Sequence, residues 1–198
     1  MFTGIIADIG VVEKISSLGN GLELRFSSRL STDLVLGQSV AVNGVCSTVV
    51  DATTTHFSVH YLEETLTKTT MDRLRERDCV NLELAMQVSS RLDGHVVTGH
   101  VDCEGALDHV LSGDPFSEIT VRYPESFSHY LIEKGSVAIN GVSLTVVDLK
   151  ADTFRVCLIP HTFHNTSFSS LQAGDHVNLE FDVMGKYLYR FYEKGREK

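Results

Sequence analysis

The sequence predicts an all-β protein made of two copies of a small closed antiparallel barrel, followed by one C-terminal helix. Three observations carry this. The chain repeats itself, each copy is a series of short β-rich runs parted by turn residues, and only the tail holds a sustained helical apolar stripe.

The repeat is plain in "SVAVNGVCSTVVD" (39–51) and "SVAINGVSLTVVD" (136–148). An ungapped alignment of Ser39 on Ser136 continues through Thr65 on Thr162, Thr69 on Thr166 and "DCVNLE" on "DHVNLE". About 20 of roughly 47 aligned positions are identical, far beyond chance. The starts echo each other as "FTGII" and "VTGHV". So long a period makes each copy a complete small domain rather than one layer of a stack.

Within each copy the elements follow in order. "GLELRFS" and "SEITVRYP" are rich in β-formers and read as early strands. Asn43-Gly44 and Asn140-Gly141 each sit between two β-rich runs, the strongest short hairpin signal. "HFSVHYL" and "TFRVCLI" alternate as half-buried strands do. Helical signals are brief: "ESFSHYLIEKG", and "ETLTKTTMDRL" and "HTFHNTSFSSL" before the "VNLE" strands. About six strands per copy without long helices between them point to a closed barrel, with a sandwich as the alternative. In the tail, Met184, Tyr187, Leu188 and Phe191 fall at i, i+3, i+4 and i+7. That stripe packs either on its own barrel or on copies of the chain. The expected division is 1–92, 93–184 and a helix at 185–198.

Composition narrows the function. The chain has 198 residues and a formal charge of −9, which argues against a phosphate-backbone partner and leaves an oligonucleotide-binding barrel little room. Cys46, Cys79, Cys103 and Cys157 form no CxxC pair, so reduced thiols are expected. No run reaches the roughly 18 apolar residues of a membrane helix. "MFTGIIADIG" lacks a signal-peptide pattern, so a cytoplasmic protein is expected. No phosphate loop, dinucleotide fingerprint, hydrolase elbow or metal motif appears, so no cofactor and no metal are expected.

The residues that can carry chemistry stand out against the repeat. Cys46 becomes Ser143 while its neighbours Val45, Thr48, Val49 and Val50 recur as Val142, Thr145, Val146 and Val147. This is what division of labour between duplicated sites looks like, and also what drift looks like; a strand cysteine is otherwise a small buried hydrophobe. "GHVVTGHVD" holds His95 and His100 beside Gly94 and Gly99. On one strand they face opposite sides, which disfavours a metal clamp. A lone strand histidine is more often structural, yet His suits proton transfer near neutral pH. Ser39 and Ser136, Thr48 and Thr145, and Thr65 and Thr162 are duplicated hydroxyls suited to a polar planar ligand. Asp182 replaces Ala85 of the first copy; Lys134 and His161 are further candidates.

"MFTGII", "NGVCSTV", "GHVVTGHVD", "INGVSLTV", "LIPHTF" and "MGKYLYRF" together resemble riboflavin synthase, the single-chain kind with two lumazine-binding repeats, from Met1 to about Tyr192. The resemblance implies two similar six-stranded antiparallel Greek-key barrels in tandem plus a C-terminal helix. It implies a homotrimer held by those helices, with each site between the N-terminal barrel of one subunit and the C-terminal barrel of its neighbour. It also implies association with lumazine synthase. The implied reaction dismutates two 6,7-dimethyl-8-ribityllumazine molecules to riboflavin and 5-amino-6-ribitylamino-uracil. One copy of the substrate loses a 7-methyl proton and the other is made electrophilic, so two related but unlike pockets are needed, and pairing the rings makes their encounter effectively intramolecular.

Carried over by position, Cys46 is the nucleophile or polar partner of the first pocket and His100 assists proton transfer. Ser143, Thr145 and Asp182 are the polar groups of the second. Phe2, Gly4, Ile5, Ile6, Ser39, Ser47, Thr48, Leu62, Glu64, Thr65, Gly99, Val101, Lys134, Leu144, Ile159, Pro160, His161 and Thr162 line the ring and ribityl sites. Phe2 and Thr3 belong to the N-terminal signature. The chain departs from the family with Ser47 for Leu, Leu84 for Arg, Asp93 for the first of two glycines, and Asn140 where some members have Asp. Ser47 is expected to add a polar contact near the first pocket, and Leu84 to remove an interaction near the linker. Related fluorescent proteins that bind lumazine without catalysis tend to lose the counterparts of Cys46 and His100; this chain keeps both.

Overall fold

A computed structural model describes residues 1–113 and 115–196. Six strands form the first barrel: β1 (Asp8–Leu18), β2 (Gly21–Ser27), β3 (Ser39–Val42), β4 (Val45–Ala52), β5 (His56–Tyr61) and β6 (Cys79–Leu84). The second has β7 (Cys103–Leu111), β8 (Ser117–Arg122), β9 (Ser136–Ile139), β10 (Val142–Leu149), β11 (Thr153–Leu158) and β12 (His176–Phe181). Both sheets close, in the orders β1-β2-β5-β4-β3-β6 and β7-β8-β11-β10-β9-β12, one Greek-key circuit built twice.

The chain bends at matching places. Register shifts interrupt β1 between Val12 and Lys14 and β7 between Leu107 and His109. They recur in β4 between Val49 and Asp51 and in β10 between Val146 and Asp148. Such bulges sharpen strand bending, which closing a six-stranded sheet requires. Alternation then fills each interior: Leu24, Phe26, Val49, Phe57, Val59 and Leu82 in the first, Val121, Val146, Phe154, Val156, Leu179 and Phe181 in the second.

The segments expected to be helical are short. α1 (Glu63–Lys68) and α2 (Pro160–His164) each run into a single 3₁₀ turn, and Glu125–Tyr130 is 3₁₀ throughout. α3 (Val183–Arg196) closes the chain with no buried residue. Of the two expectations for its stripe, packing on its own barrel is not realised: Met184, Tyr187, Leu188 and Phe191 are 61–71% exposed.

The Asn-Gly hairpins join the barrels. Asn43 and Asn140 adopt positive φ, and a side chain on Gly44 would lie 2.6 Å from Gly141 N, so the two turns abut back to back. The "VNLE" asparagines lock this junction. Asn81 donates from Nδ2 to Asn140 O (2.9 Å) and accepts at Oδ1 from Ser167 N (2.6 Å). Asn178 repeats the pattern with Asn43 O (2.9 Å) and Thr70 N (2.8 Å). All four bonds are buried, where polar groups must be paired.

Candidate functional site

The "VNLE" glutamates build the site. Glu83 on β6 accepts from Thr3 N (2.6 Å), Thr3 Oγ1 (2.7 Å) and Gly4 N (3.0 Å). Glu180 on β12 does the same for Thr98 N (2.7 Å), Thr98 Oγ1 (2.6 Å) and Gly99 N (2.9 Å). Each carboxylate therefore fixes the leading segment of its own repeat. Each leader then docks on the other barrel: Ser143 N donates to Gly4 O and Cys46 N to Gly99 O, both at 2.8 Å. Gly4 and Gly99 hold φ near +80°, and an added Cβ would stand 2.5 Å from Ser143 Cβ or 2.6 Å from Cys46 Cβ. Only glycine fits either crossing. Burial pushes the Glu83 carboxyl up, against the hydrogen bonds from Thr3 and Gly4 that favour its ionised form.

Two sets of candidate residues result. On the first barrel, Cys46 and Thr48 share the outer face of β4, with Ser39 opposite Thr48 on β3. Gly99 and exposed His100 arrive from the second leader, and half-buried Val101 packs on the first core. On the second barrel, Ser143 and Thr145 share the outer face of β10, with Ser136 opposite Thr145. Gly4 and exposed Ile5 come from the first leader, and Ile6 packs on the second core. Leu62, Glu64 and Thr65 begin the α1 segment, and Ile159, Pro160, His161 and Thr162 begin α2, at equivalent places. Thr65 and Thr162 use their carbonyls alike, each accepting from a threonine hydroxyl four residues on at 2.7 Å. His161 shares a cavity of about 280 Å³ with Ile6, Asp8 and Arg29, so α2 faces the start of the first barrel. Lys134 lies exposed in the turn before β9, its N–H on Val146 O.

Three lining residues have other surroundings. Ser47 is 3% exposed inside the first barrel, donating to Val45 O (3.0 Å) and paired with the Tyr61 hydroxyl (2.7 Å). Strand alternation turns it away from Cys46, so the expected polar contact near the first pocket is not made. Leu144 is likewise part of the second core. Phe2 is fully buried with Ala41, Val97 and Ala138, and Cys46 packs against them. It tethers the N-terminus through paired backbone bonds with Val97.

His95 is buried, as a structural histidine is, and it meets one polar partner. The ring is 8% exposed, and Nδ1 lies 2.7 Å from Ser143 Oγ. Burial lowers its basicity, opposed by the nearby charge of Asp182. The two histidines do occupy different surroundings, but in an extended leader with one bridge at Val97 rather than in a strand. Asp182 accepts from Met184 N (2.9 Å) and borders a cleft of about 410 Å³ shared with Tyr130, Ser136, Met184 and Leu188. A groove of about 530 Å³ runs along the barrel junction by Asn43 and Asn140 and touches none of the chemical residues. Chemistry rather than size therefore locates the site. Burial, with Asp102 and Glu104 nearby, pushes the Cys103 thiol up to about 12, which disfavours the nucleophilic thiolate. Among the described residues no three His, Cys, Asp or Glu side chains converge as a metal site.

Fold and site thus define a duplicated barrel protein that carries two related, chemically unlike sets of polar residues, one on each barrel. The lumazine binding domain matches residues 3–85 and 98–182, one match per barrel. Riboflavin synthase of Bacillus subtilis (strain 168) is 39% identical over 198 residues, covering 100% of this chain and 92% of that one. Riboflavin synthase of Mycobacterium tuberculosis (strain ATCC 25618 / H37Rv) is 40% identical over 195 residues, covering 96% and 97%. That of Actinobacillus pleuropneumoniae is 38% identical over 195 residues, covering 98% and 91%. The chain belongs to the lumazine-binding domain family, and within it to the riboflavin synthases. The fold is also that of LumP in complex with 6,7-dimethyl-8-(1'-D-ribityl) lumazine (TM-score 0.84, 21% identity, 91% of this chain and 99% of that one). LumP with riboflavin superposes with a TM-score of 0.85 at 22% identity, over 91% and 99%.

Proposed function

We propose that this chain catalyses the riboflavin synthase reaction, moving a four-carbon unit between two molecules of 6,7-dimethyl-8-ribityllumazine to give riboflavin and 5-amino-6-ribitylamino-uracil. Similarity to riboflavin synthases along the whole chain, through both repeats, carries this reading. The chemistry needs two copies of one substrate in unlike roles. Two outward-facing sites of common build, one bearing Cys46 and the other Ser143, suit that need.

In this reading Cys46 and His100 serve the first pocket, and Ser143, Thr145 and Asp182 the second. The duplicated strand hydroxyls and the α1 and α2 segments hold ring and ribityl groups. Residues 1–92 and 93–184 are the two binding units, which assigns each leader to the repeat whose glutamate fixes it. The tail assembles a cytoplasmic homotrimer that pairs the N-terminal barrel of one subunit with the C-terminal barrel of the next. The exposed apolar face of α3 supports that assembly. Association with lumazine synthase belongs to the same reading.

The test is to incubate purified protein with 6,7-dimethyl-8-ribityllumazine alone and follow flavin absorbance. The expected result is one riboflavin for every two lumazines consumed, lost or sharply reduced in Cys46→Ser. Tight lumazine binding without flavin would leave a chromophore carrier instead.

A further inference from the structure

The two pockets differ by more than a thiol and a hydroxyl. Among the described residues Cys46 Sγ has no hydrogen-bond partner; it packs against the Phe2 cluster. Ser143 Oγ has the imidazole of His95 at 2.7 Å. The contact is built with care. His95 N donates to Thr3 O (3.1 Å), Ser143 N donates to Gly4 O (2.8 Å), and a Cβ on Gly94 would lie 2.1 Å from Thr3 O and 3.0 Å from Ser143 Oγ. Residue 94 must be glycine for ring, leader and serine to meet.

The far side of the ring decides its tautomer. Among the described residues, the buried His95 Nε2 has no hydrogen-bond partner. A proton on Nε2 would leave a buried donor unpaired, and buried unpaired N–H groups are rarer than under-satisfied acceptors. With the proton on Nδ1, the buried Nε2 is a bare lone pair and Nδ1–H points at Ser143 Oγ. A full imidazolium would again bury an unpaired N–H, so the ring stays neutral, which agrees with the lowered basicity that burial imposes.

We propose that His95 is a positioning residue: its Nδ1–H donates to Ser143 Oγ and so commits the Ser143 hydroxyl proton to the bound ligand. The second pocket then offers an oriented O–H where the first offers a thiol, a weak donor. When the 7-methyl of a lumazine gives its proton to solvent, the electron pair left behind spreads into the ring, and an oriented donor stabilises it. The second pocket is therefore the one that holds the lumazine that becomes the carbanion. This assignment rests on the reading of Ser143 as a pocket residue.

The tautomer is read first, without substrate, on protein labelled with ¹⁵N-histidine. The His95 ring signals are assigned by their absence in His95→Asn. A pyrrole-type Nδ1 and a pyridine-type Nε2 are expected at neutral pH; the reverse pattern, or a cation, would overturn the proposal whether or not the protein makes flavin. Exchange of the 7-methyl protons of lumazine into D₂O is then followed by NMR. Ser143→Ala and His95→Ala should each slow exchange roughly 10²-fold, as loss of one oriented donor does, with no further loss in the double variant. His95→Asn, which keeps an N–H near the Nδ1 position, should recover much of the rate in folded protein. Cys79→Ala, an exposed thiol outside both sites, should leave exchange near normal. Exchange lost in Cys46→Ala but kept in Ser143→Ala would assign the carbanion to the first pocket and sink the idea.

Discussion

The crossed leaders make an unusual expectation: damage to one barrel's carboxylate should appear in the other barrel's pocket. Glu180 is 3% exposed and accepts three bonds of 2.6–2.9 Å. In Glu180→Gln the remaining carbonyl can still accept from Thr98, but the new amide meets Gly99 N–H donor to donor. Hydrogen bonds to charged groups contribute about 1.5–3 kcal/mol and neutral ones about 1 kcal/mol, while a stranded buried donor costs about 1–3 kcal/mol. Two weakened bonds and one lost bond come to about 3 kcal/mol, or a fall in Tm of roughly 6–12 °C for a chain of this size. Glu83→Gln should cost a similar amount. The distinguishing measurement is local amide exchange by mass spectrometry. Glu180→Gln should speed exchange at Cys46, whose N–H rests on Gly99 O, and spare Ser143; Glu83→Gln should do the reverse, through Gly4. If each variant loosened only the pocket on its own barrel, the crossed construction would be refuted.

Other expectations follow from single contacts. Ser47→Ala strands the buried Tyr61 hydroxyl and should cost about 1–3 kcal/mol in chemical denaturation, most of it recovered on adding Tyr61→Phe. Burial alone would raise the Asp8 carboxyl, but bonds from Ser28 and Arg29 outweigh it and hold the group below its ordinary range. The native state therefore binds that proton less readily than the unfolded chain. Its stabilisation is complete above about pH 4 and is lost as pH falls through the native value. Asp8→Asn should cost on the order of 1–2 kcal/mol near neutrality, since Arg29 is largely exposed, and should flatten the acid limb of a Tm-against-pH curve. Alkylation with iodoacetamide at pH 8 should label exposed Cys79 and Cys157 well before Cys103, as peptide mass spectrometry would report.

The strands were legible because short-range chemistry dictates them. Asn-Gly can take the positive φ that a tight hairpin needs, and period-two alternation marks which residues fill a barrel. That same alternation held a signal left unused: if Cys46 and Thr48 face outward, Ser47 must face inward, and so must Leu144 between Ser143 and Thr145. The "VNLE" repeat was visible as a pattern, but the tasks of Asn81, Glu83, Asn178 and Glu180 were not. Their partners lie in the other barrel or in the leader at the far end of the repeat, and strand periodicity carries no information about such contacts. His95 fails for the same reason. Its partner Ser143 is 48 residues away, and only the closed second barrel brings them together.

Duplication explains why the junction is so nearly symmetric and the pockets are not. Hairpins, asparagines, glutamates and leader glycines recur because each must satisfy the same buried backbone groups twice; a change in one copy would strand a donor that its twin still satisfies. The outward residues beyond the leaders face no such constraint, since water or ligand can meet their polar atoms. Cys46 against Ser143, and exposed His100 against exposed Ile5 at the matching leader position, therefore diverge where divergence is thermodynamically permitted. A reaction that uses two molecules of one compound in unlike roles calls for such an outcome: a shared frame with unlike groups on its two barrels.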